Sequence, residues 1–185
     1  MKSFKVKDLM VPLSEYAVID ADATVYEAVQ ALEKAQEEFD RTRYRHRAVL
    51  VRDKEGRIVG KLGQLDMLRA LEPKYEEMKS STGVTRFGFS RKFLLSMLEH
   101  YDLFDQPFAD LCRKAAEQQV SRYMHRPTEG ETIEAEASLD KAVHLLVVGH
   151  QPSLLAMEND KIIGILRTTD VFAAVFHAMK DCAAT

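Results

Sequence analysis

Two short segments of the chain place an aspartate six residues after a glycine. They are GKLGQLD, which runs from Gly60 to Asp66, and GILRTTD, which runs from Gly164 to Asp170. Backbone N–H groups where a strand turns into a helix attract anions, and an aspartate there accepts hydrogen bonds from a vicinal diol. Glycine lets a ligand or another backbone segment approach closely. The pattern predicts two ligand sites, unless each aspartate only stabilises the start of its helix by charge.

The two segments differ at the position three residues before the aspartate, which holds Gly63 in one and Arg167 in the other. The guanidinium of Arg167 is a planar fork suited to phosphate, and Thr168 adds a hydroxyl beside it. Gly63 supplies only backbone N–H groups. We therefore rank the site at Asp170 above the site at Asp66.

Both segments belong to an internal repeat that covers most of the chain. A shift of 114 residues places residues 6–32 on 120–146, and a shift of 104 residues places 46–71 on 150–175. The change in shift means that the first repeat has ten extra residues before its second strand. Such ordered self-similarity is typical of a duplicated structural unit.

Each repeat has the pattern strand, helix, strand, strand, helix. Thr24 and Ser138 are predicted to cap the first helix of each repeat, and Glu27 completes a capping box with Thr24. A three-stranded sheet with helices on one face leaves its other face uncovered. The predicted fold class is therefore α/β, with two β-α-β-β-α repeats packed around a pseudo-twofold axis. The predicted domains are repeat 1 (1–71), a helical insert (72–119) and repeat 2 (120–185).

The order of these elements, the Met-x-Pro-like openings and the closing Gly…Asp segments resemble the CBS domain family, in which two repeats form a Bateman module. The resemblance implies a regulatory module and not an enzyme. It implies an adenine nucleotide or adenosyl ligand, such as AMP, ADP, ATP or S-adenosylmethionine, in clefts between the repeats. No other cofactor and no metal is implied.

The resemblance also implies roles for individual residues. Asp66 and Asp170 match the family aspartate that holds the ribose hydroxyls, but Gly63 and Arg167 stand where the family has a serine or threonine that meets phosphate. Residues expected near the adenine lie at the first and second strands of each repeat. They are Ile19, Ile133, Ala48 and Pro152, which are equally plausible as core residues, and the aligned pair His46 and His150.

Other features limit the function classes. The net charge of −3 and the pI of about 6.1 do not favour nucleic acid as a general partner. The N-terminal segment has no apolar run long enough for a signal peptide, and no stretch is long enough to span a membrane, so we expect neither; the residues also show no catalytic constellation. Two isolated thiols, Cys112 and Cys182, are consistent with a reducing cytoplasm. The basic run RTRYRHR (41–47) extends the first helix as a solvated face, a contact for the ligand phosphate or an RNA contact.

The insert contains two amphipathic segments, RKFLLSMLEHY and FADLCRKAAEQQ. Their apolar sides pack on the same chain, or they form a dimer interface or a docking surface for a regulated protein. The resemblance implies a homodimer. Two functional classes lead at this point: a ligand-sensing regulatory module, and a structural module for dimerisation and docking whose ligand sites have degenerated. An RNA-binding protein that uses the basic run is a third and weaker alternative.

Overall fold

The predicted order of elements is confirmed in both repeats by a computed structural model, which describes residues 4–38, 45–75 and 90–183. The strands are β1 (Val11–Pro12), β2 (Val18–Asp20), β3 (Ala48–Arg52), β4 (Ile58–Gly63), β5 (Thr132–Glu134), β6 (Ser153–Glu158) and β7 (Lys161–Arg167). The helices are α1 (Val6–Leu9), α2 (Val25–Glu38), α3 (Gln64–Arg69), α4 (Arg91–His100), α5 (Phe108–Ala116), α6 (Val120–Tyr123), α7 (Leu139–Val148) and α8 (Thr168–Ala183).

Each repeat forms its own mixed sheet. In the first repeat, β3 lies between parallel β2 and antiparallel β4. In the second repeat, β6 lies in the same way between parallel β5 and antiparallel β7. The helices cover the outer faces of the sheets and form one apolar core with each. A third core lies between the repeats, where Leu50 packs with Leu155 and Ile165, so the predicted face-to-face packing is confirmed.

The N-terminal segment of each repeat pairs with the sheet of the other repeat. β1 is antiparallel to β7, with Val11 opposite Ile165. The equivalent segment after α6 pairs His125 with Lys61 of β4. Each exchanged segment therefore covers the exposed edge of a sheet, which otherwise presents unpaired backbone groups. The packing unit built on the second sheet thus includes residues 6–12.

The alignment of the second strands is corrected by the register of the sheets. Ile19 lies opposite Val51 in the first sheet, whereas Ile133 lies opposite Ala156 in the second. Residue 51 is therefore equivalent to residue 156, a shift of 105 residues and not 104. The hairpin between β3 and β4 is one residue longer than its counterpart, which the ungapped comparison of sequences hides.

The two helices of the insert differ in how they pack. α5 buries Leu111 and Ala115 and contacts α2, so its apolar side packs on the same chain. On α4 the leucine and phenylalanine side chains remain exposed: Phe93, Leu94, Leu95 and Leu98. The expectation that the basic run extends α2 is not met at Arg45–Arg47, which are not helical, and residues 41–44 lie outside the described residues. Among the helices of the described ranges, none has the length and hydropathy needed to cross a bilayer.

Candidate functional site

Asp66 and Asp170 occupy the same place in the two repeats, the first turn of the helix that follows the last strand. Their side chains are 14% and 12% exposed. Each carboxylate already has a cation of its own repeat as a partner. The two cations come from different positions, because Arg167 lies three residues before its aspartate and Arg69 lies three residues after its own.

Arg167 holds both oxygens of Asp170. Its Nε donates to Oδ2 and its Nη2 donates to Oδ1, each at 2.6 Å. The side chain of Arg167 is only 6% exposed. A bidentate pair of this kind is among the strongest charge-assisted contacts in proteins. The Arg167 guanidinium, which the sequence predicts to bind a ligand phosphate, is therefore bound to the neighbouring aspartate.

The same guanidinium reaches residues of the first repeat. Its Nη1 lies 3.4 Å from Nδ1 of His46, which is 1% exposed. The His46 ring stands edge-on to Tyr16, with ring centroids 4.4 Å apart. Burial, together with the charge of Asp170, raises the pKa of Tyr16 to about 12, although Arg167 acts in the opposite direction. A buried polar chain therefore crosses from one repeat to the other at this turn.

The turn at Asp66 is built differently. Oδ2 of Asp66 accepts a hydrogen bond from the backbone N–H of Gly63 at 2.8 Å, and Oδ1 accepts one from Nη1 of Arg69 at 2.7 Å. Arg69 lies one turn later on α3 and is 29% exposed. The Gln64 N–H donates to the carbonyl of Arg47. No side chain projects from position 63 itself.

The predicted glycines lie under the exchanged segments. A Cβ on Gly164 would come within 2.6 Å of the carbonyl oxygen of Val11, and one on Gly60 within 2.7 Å of Sδ of Met124. Both glycines are buried. In this structure, the groups that approach the two glycines closely therefore belong to the exchanged segments of the protein itself.

The remaining predicted residues divide between core and surface. Ile19 and Ile133 belong to the cores beneath the helices. Thr168 is exposed, and its hydroxyl donates to the carbonyl of Pro152 at 3.0 Å.

The predicted equivalence of His46 with His150 is wrong because of the register difference. The carbonyls of Arg47 and Pro152 accept the equivalent bonds from Gln64 and Thr168, so His46 corresponds to Gln151 and Ala48 to Ser153. His150 lies in an exposed turn with a φ of 49°.

Sequence reasoning missed a buried charged cluster at the other exchanged segment. Glu131 is 2% exposed and accepts from Lys61 at 3.1 Å, and its other oxygen lies 2.6 Å from Nε2 of His125. Burial raises the pKa of Glu131, but hydrogen bonds from His125 and Thr128 and the charge of Lys61 outweigh it and hold the pKa at about 2. The sequence does indicate a difference here, because the shift of 114 residues aligns the charged Glu131 with the apolar Ala17.

A separate pocket opens at the outer end of the first repeat, between the start of α2 and the β3–β4 hairpin. Asp20, Arg52, Lys54 and Gln119 contribute to its walls. Asp20 and Arg52 form an ion pair at 2.6 Å there. None of the residues singled out in the sequence lines this pocket. In the described ranges, His, Cys, Asp and Glu side chains form no group that could hold a metal ion.

Comparisons with known proteins agree with this architecture. The sequence profile described as CBS domain matches residues 6–73, and no curated protein matches the sequence. The structure of CBSX2 in complex with AMP aligns with a TM-score of 0.60 and 18% identity, covering 94% of this chain and 97% of that chain. CBSX2 from Arabidopsis thaliana aligns with a TM-score of 0.60 and 17% identity, covering 97% and 99%.

A conserved protein from Pyrococcus horikoshii aligns with a TM-score of 0.59 and 15% identity, covering 95% of this chain and 94% of that chain. At these identities the likeness establishes the fold, which is that of a CBS pair. The profile match thus shows a CBS domain at residues 6–73, and the likeness over nearly the whole chain shows the fold of a CBS pair.

Proposed function

We propose that the protein is a regulatory module that binds an adenine nucleotide or adenosyl compound between its repeats and does no chemistry of its own. The observation that carries this proposal is the placement of Asp66 and Asp170. Each is a largely buried carboxylate in the first helical turn after the last strand of a CBS repeat. A carboxylate in that place accepts hydrogen bonds from the two hydroxyls of a ribose.

The AMP complex of CBSX2 supports this ligand class, because its chain has the same fold over nearly its whole length. The cations near the Asp66 turn should add to the affinity for such a ligand. At Asp66 the cation is Arg69, which is partly exposed, and the exposed side chain of Arg47 begins beside the same turn. Positive charge at this turn favours a ligand that carries phosphate.

Signalling requires that the ligand bind two conformations of the module with different affinity. The exchanged segments give the repeats a way to respond together. α1 donates backbone hydrogen bonds from Val6 and Lys7 to the second repeat, and Val120 after α5 donates to Ala23 of the first. A rotation of one repeat against the other must move both segments. The regulated protein would then recognise a changed surface.

Titration calorimetry of the full chain with AMP, ADP, ATP and S-adenosylmethionine tests the proposal. We expect at least one of them to bind, and the Asn variant of whichever aspartate holds the ribose, Asp66 or Asp170, to weaken that binding about tenfold or more, since a hydrogen bond to a charged group is lost. Asp140→Asn is the matched control, because Asp140 is an exposed acidic residue in the first turn of α7. We expect Asp140→Asn to leave the affinity unchanged.

The second candidate function is a module for dimerisation and protein docking. Exposed apolar side chains on α3 and α8 favour it, namely Leu65, Leu68, Phe172, Phe176 and Met179. A homodimer formed through this surface is compatible with either function. If none of the four compounds binds while light scattering shows a stable dimer, the docking module replaces the sensor.

A further inference from the structure

The Asp170 and Asp66 turns differ in the size of the side chains at two of three equivalent positions. The compared positions lie two residues before the first strand, two residues before the second strand and at the last residue of the final strand. At the Asp170 turn the occupants are large: Tyr16, His46 and Arg167. At the Asp66 turn the equivalent residues are Gly130, Gln151 and Gly63.

The large residues form one continuous buried chain. Tyr16 is 7%, His46 1% and Arg167 5% exposed. Tyr16 meets the His46 ring, His46 meets Nη1 of Arg167, and Arg167 holds both oxygens of Asp170. Two of these residues come from the first repeat and two from the second. The chain therefore crosses the space that separates the repeats beside Asp170.

We propose that Tyr16, His46 and Arg167 are a built-in occupant that closes the cleft beside Asp170, so that each chain binds one adenosyl ligand, at the Asp66 turn. This inference rests on the proposed function and deepens it. To hold a ribose diol, Asp170 would have to exchange two charge-assisted bonds from a guanidinium for two bonds from neutral hydroxyls, which are weaker. The displaced guanidinium would also need a new partner, because it is almost completely buried.

The Asp66 turn keeps a side chain only at Gln151, which is half-buried, and lacks the counterparts of Tyr16 and Arg167. Gly63 has no side chain, and a Cβ built on Gly130 meets no atom within 4 Å. Arg69 binds only one oxygen of Asp66 and is partly exposed, so it can turn toward solvent without leaving a buried charge behind. The presence of Arg167 in one turn and of Gly63 in the other is therefore central to the proposed difference between the clefts.

The test has one measurement without ligand and one with ligand. Without ligand, diethyl pyrocarbonate modifies exposed histidines, and mass spectrometry compares buried His46 with exposed His144 on α7. We expect His46 to react about tenfold or more slowly than His144 in the wild type, and to approach the rate of His144 in Arg167→Thr. Tyr16→Ala is a second opening variant, and a cooperative thermal transition shows that each variant is folded.

With ligand, calorimetry with AMP and S-adenosylmethionine counts the sites. We expect one site per chain in the wild type, loss of that site in Asp66→Asn, and a second site in Arg167→Thr that depends on Asp170. Two sites in the wild type, a single site lost in Asp170→Asn but kept in Asp66→Asn, or equal reaction of His46 and His144 in the wild type would overturn the inference. If neither compound binds any variant while protection of His46 still depends on Arg167, the proposed function fails and the closed cleft stands.

Discussion

The two places where an exchanged segment meets a sheet have the same backbone and opposite chemistry. On the second sheet, Val11 lies opposite Ile165 in an apolar core. On the first sheet the equivalent pair is His125 and Lys61, which close around Glu131. The pairing of strands is therefore independent of the side chains that line it. After the duplication, one junction is held by apolar burial and the other by a buried ion cluster.

The two junctions should differ in how much free energy of unfolding is lost when one of their residues is replaced. An apolar junction gains free energy from every side chain removed from water. A buried ion cluster first has to compensate the desolvation of its charges, and it becomes strongly destabilising when one partner is lost. The first sheet should therefore tolerate single substitutions at its junction less well than the second. The following changes are arranged from the largest expected effect to the smallest.

Removing the central carboxylate should have the largest effect. We expect Glu131→Ala to lower the free energy of unfolding by about 3 to 5 kcal/mol, because Lys61 is left buried without its anion. Urea unfolding at pH 7 measures this. The control is the triple variant Lys61→Ile, His125→Val and Glu131→Ala, which copies the residues of the other junction. We expect the triple variant to lie within about 1 kcal/mol of the wild type or above it.

The wild type and the triple variant should also differ in how their free energy of unfolding depends on pH. The pKa of Glu131 is lowered from 4.5 to about 2 in the folded protein. Its ionisation therefore stabilises the fold fully above pH 4.5, and this contribution is lost as the pH falls toward 2. Over that interval the wild type should lose about 3 kcal/mol more than the triple variant. If the free energies of unfolding of the two proteins fell equally over this interval, the lowered pKa of Glu131 would be contradicted.

The two buried glycines should differ in the cost of an added methyl group. At Gly164 the new Cβ meets the carbonyl oxygen of Val11 at 2.6 Å, a backbone atom fixed in β1. At Gly60 the nearest atom is Sδ of Met124, the end of a flexible side chain. We expect Gly164→Ala to cost about 2 to 3 kcal/mol and Gly60→Ala about 1 kcal/mol. Thermal unfolding compares them, and equal costs would mean that the two junctions are equally rigid.

The smallest difference concerns the starts of α2 and α7. Thr24 and Glu27 bond to each other in a capping box, as the sequence predicts. Ser138 is the N-cap residue of α7, as the sequence predicts, but its side chain makes no capping hydrogen bond. We expect Thr24→Ala to cost about 1 kcal/mol and Ser138→Ala only a few tenths of a kcal/mol. A larger loss at Ser138, measured by urea unfolding, would reverse the ranking.

Much of the fold was predictable because its signals are local. The capping box at Thr24, the apolar period of α2 and the paired apolar runs of the hairpins depend on neighbours in sequence. The second repeat carries the same helical period and the same paired apolar runs, although not the capping box. The candidate site was predictable only in part. The sequence located Asp66 and Asp170, but it did not reveal that Arg167 pairs with Asp170 and not with an external anion.

The sequence by itself determined the repeat, the order of elements, the face-to-face arrangement and the two aspartates, because periodicity and self-similarity encode them. The tertiary structure alone decided the exchange of the N-terminal segments, the ion cluster around Glu131 and the partner of His46. These depend on contacts between residues far apart in the chain and on strand register. A hairpin longer by one residue moves every later pairing by one position, and no local pattern records that change.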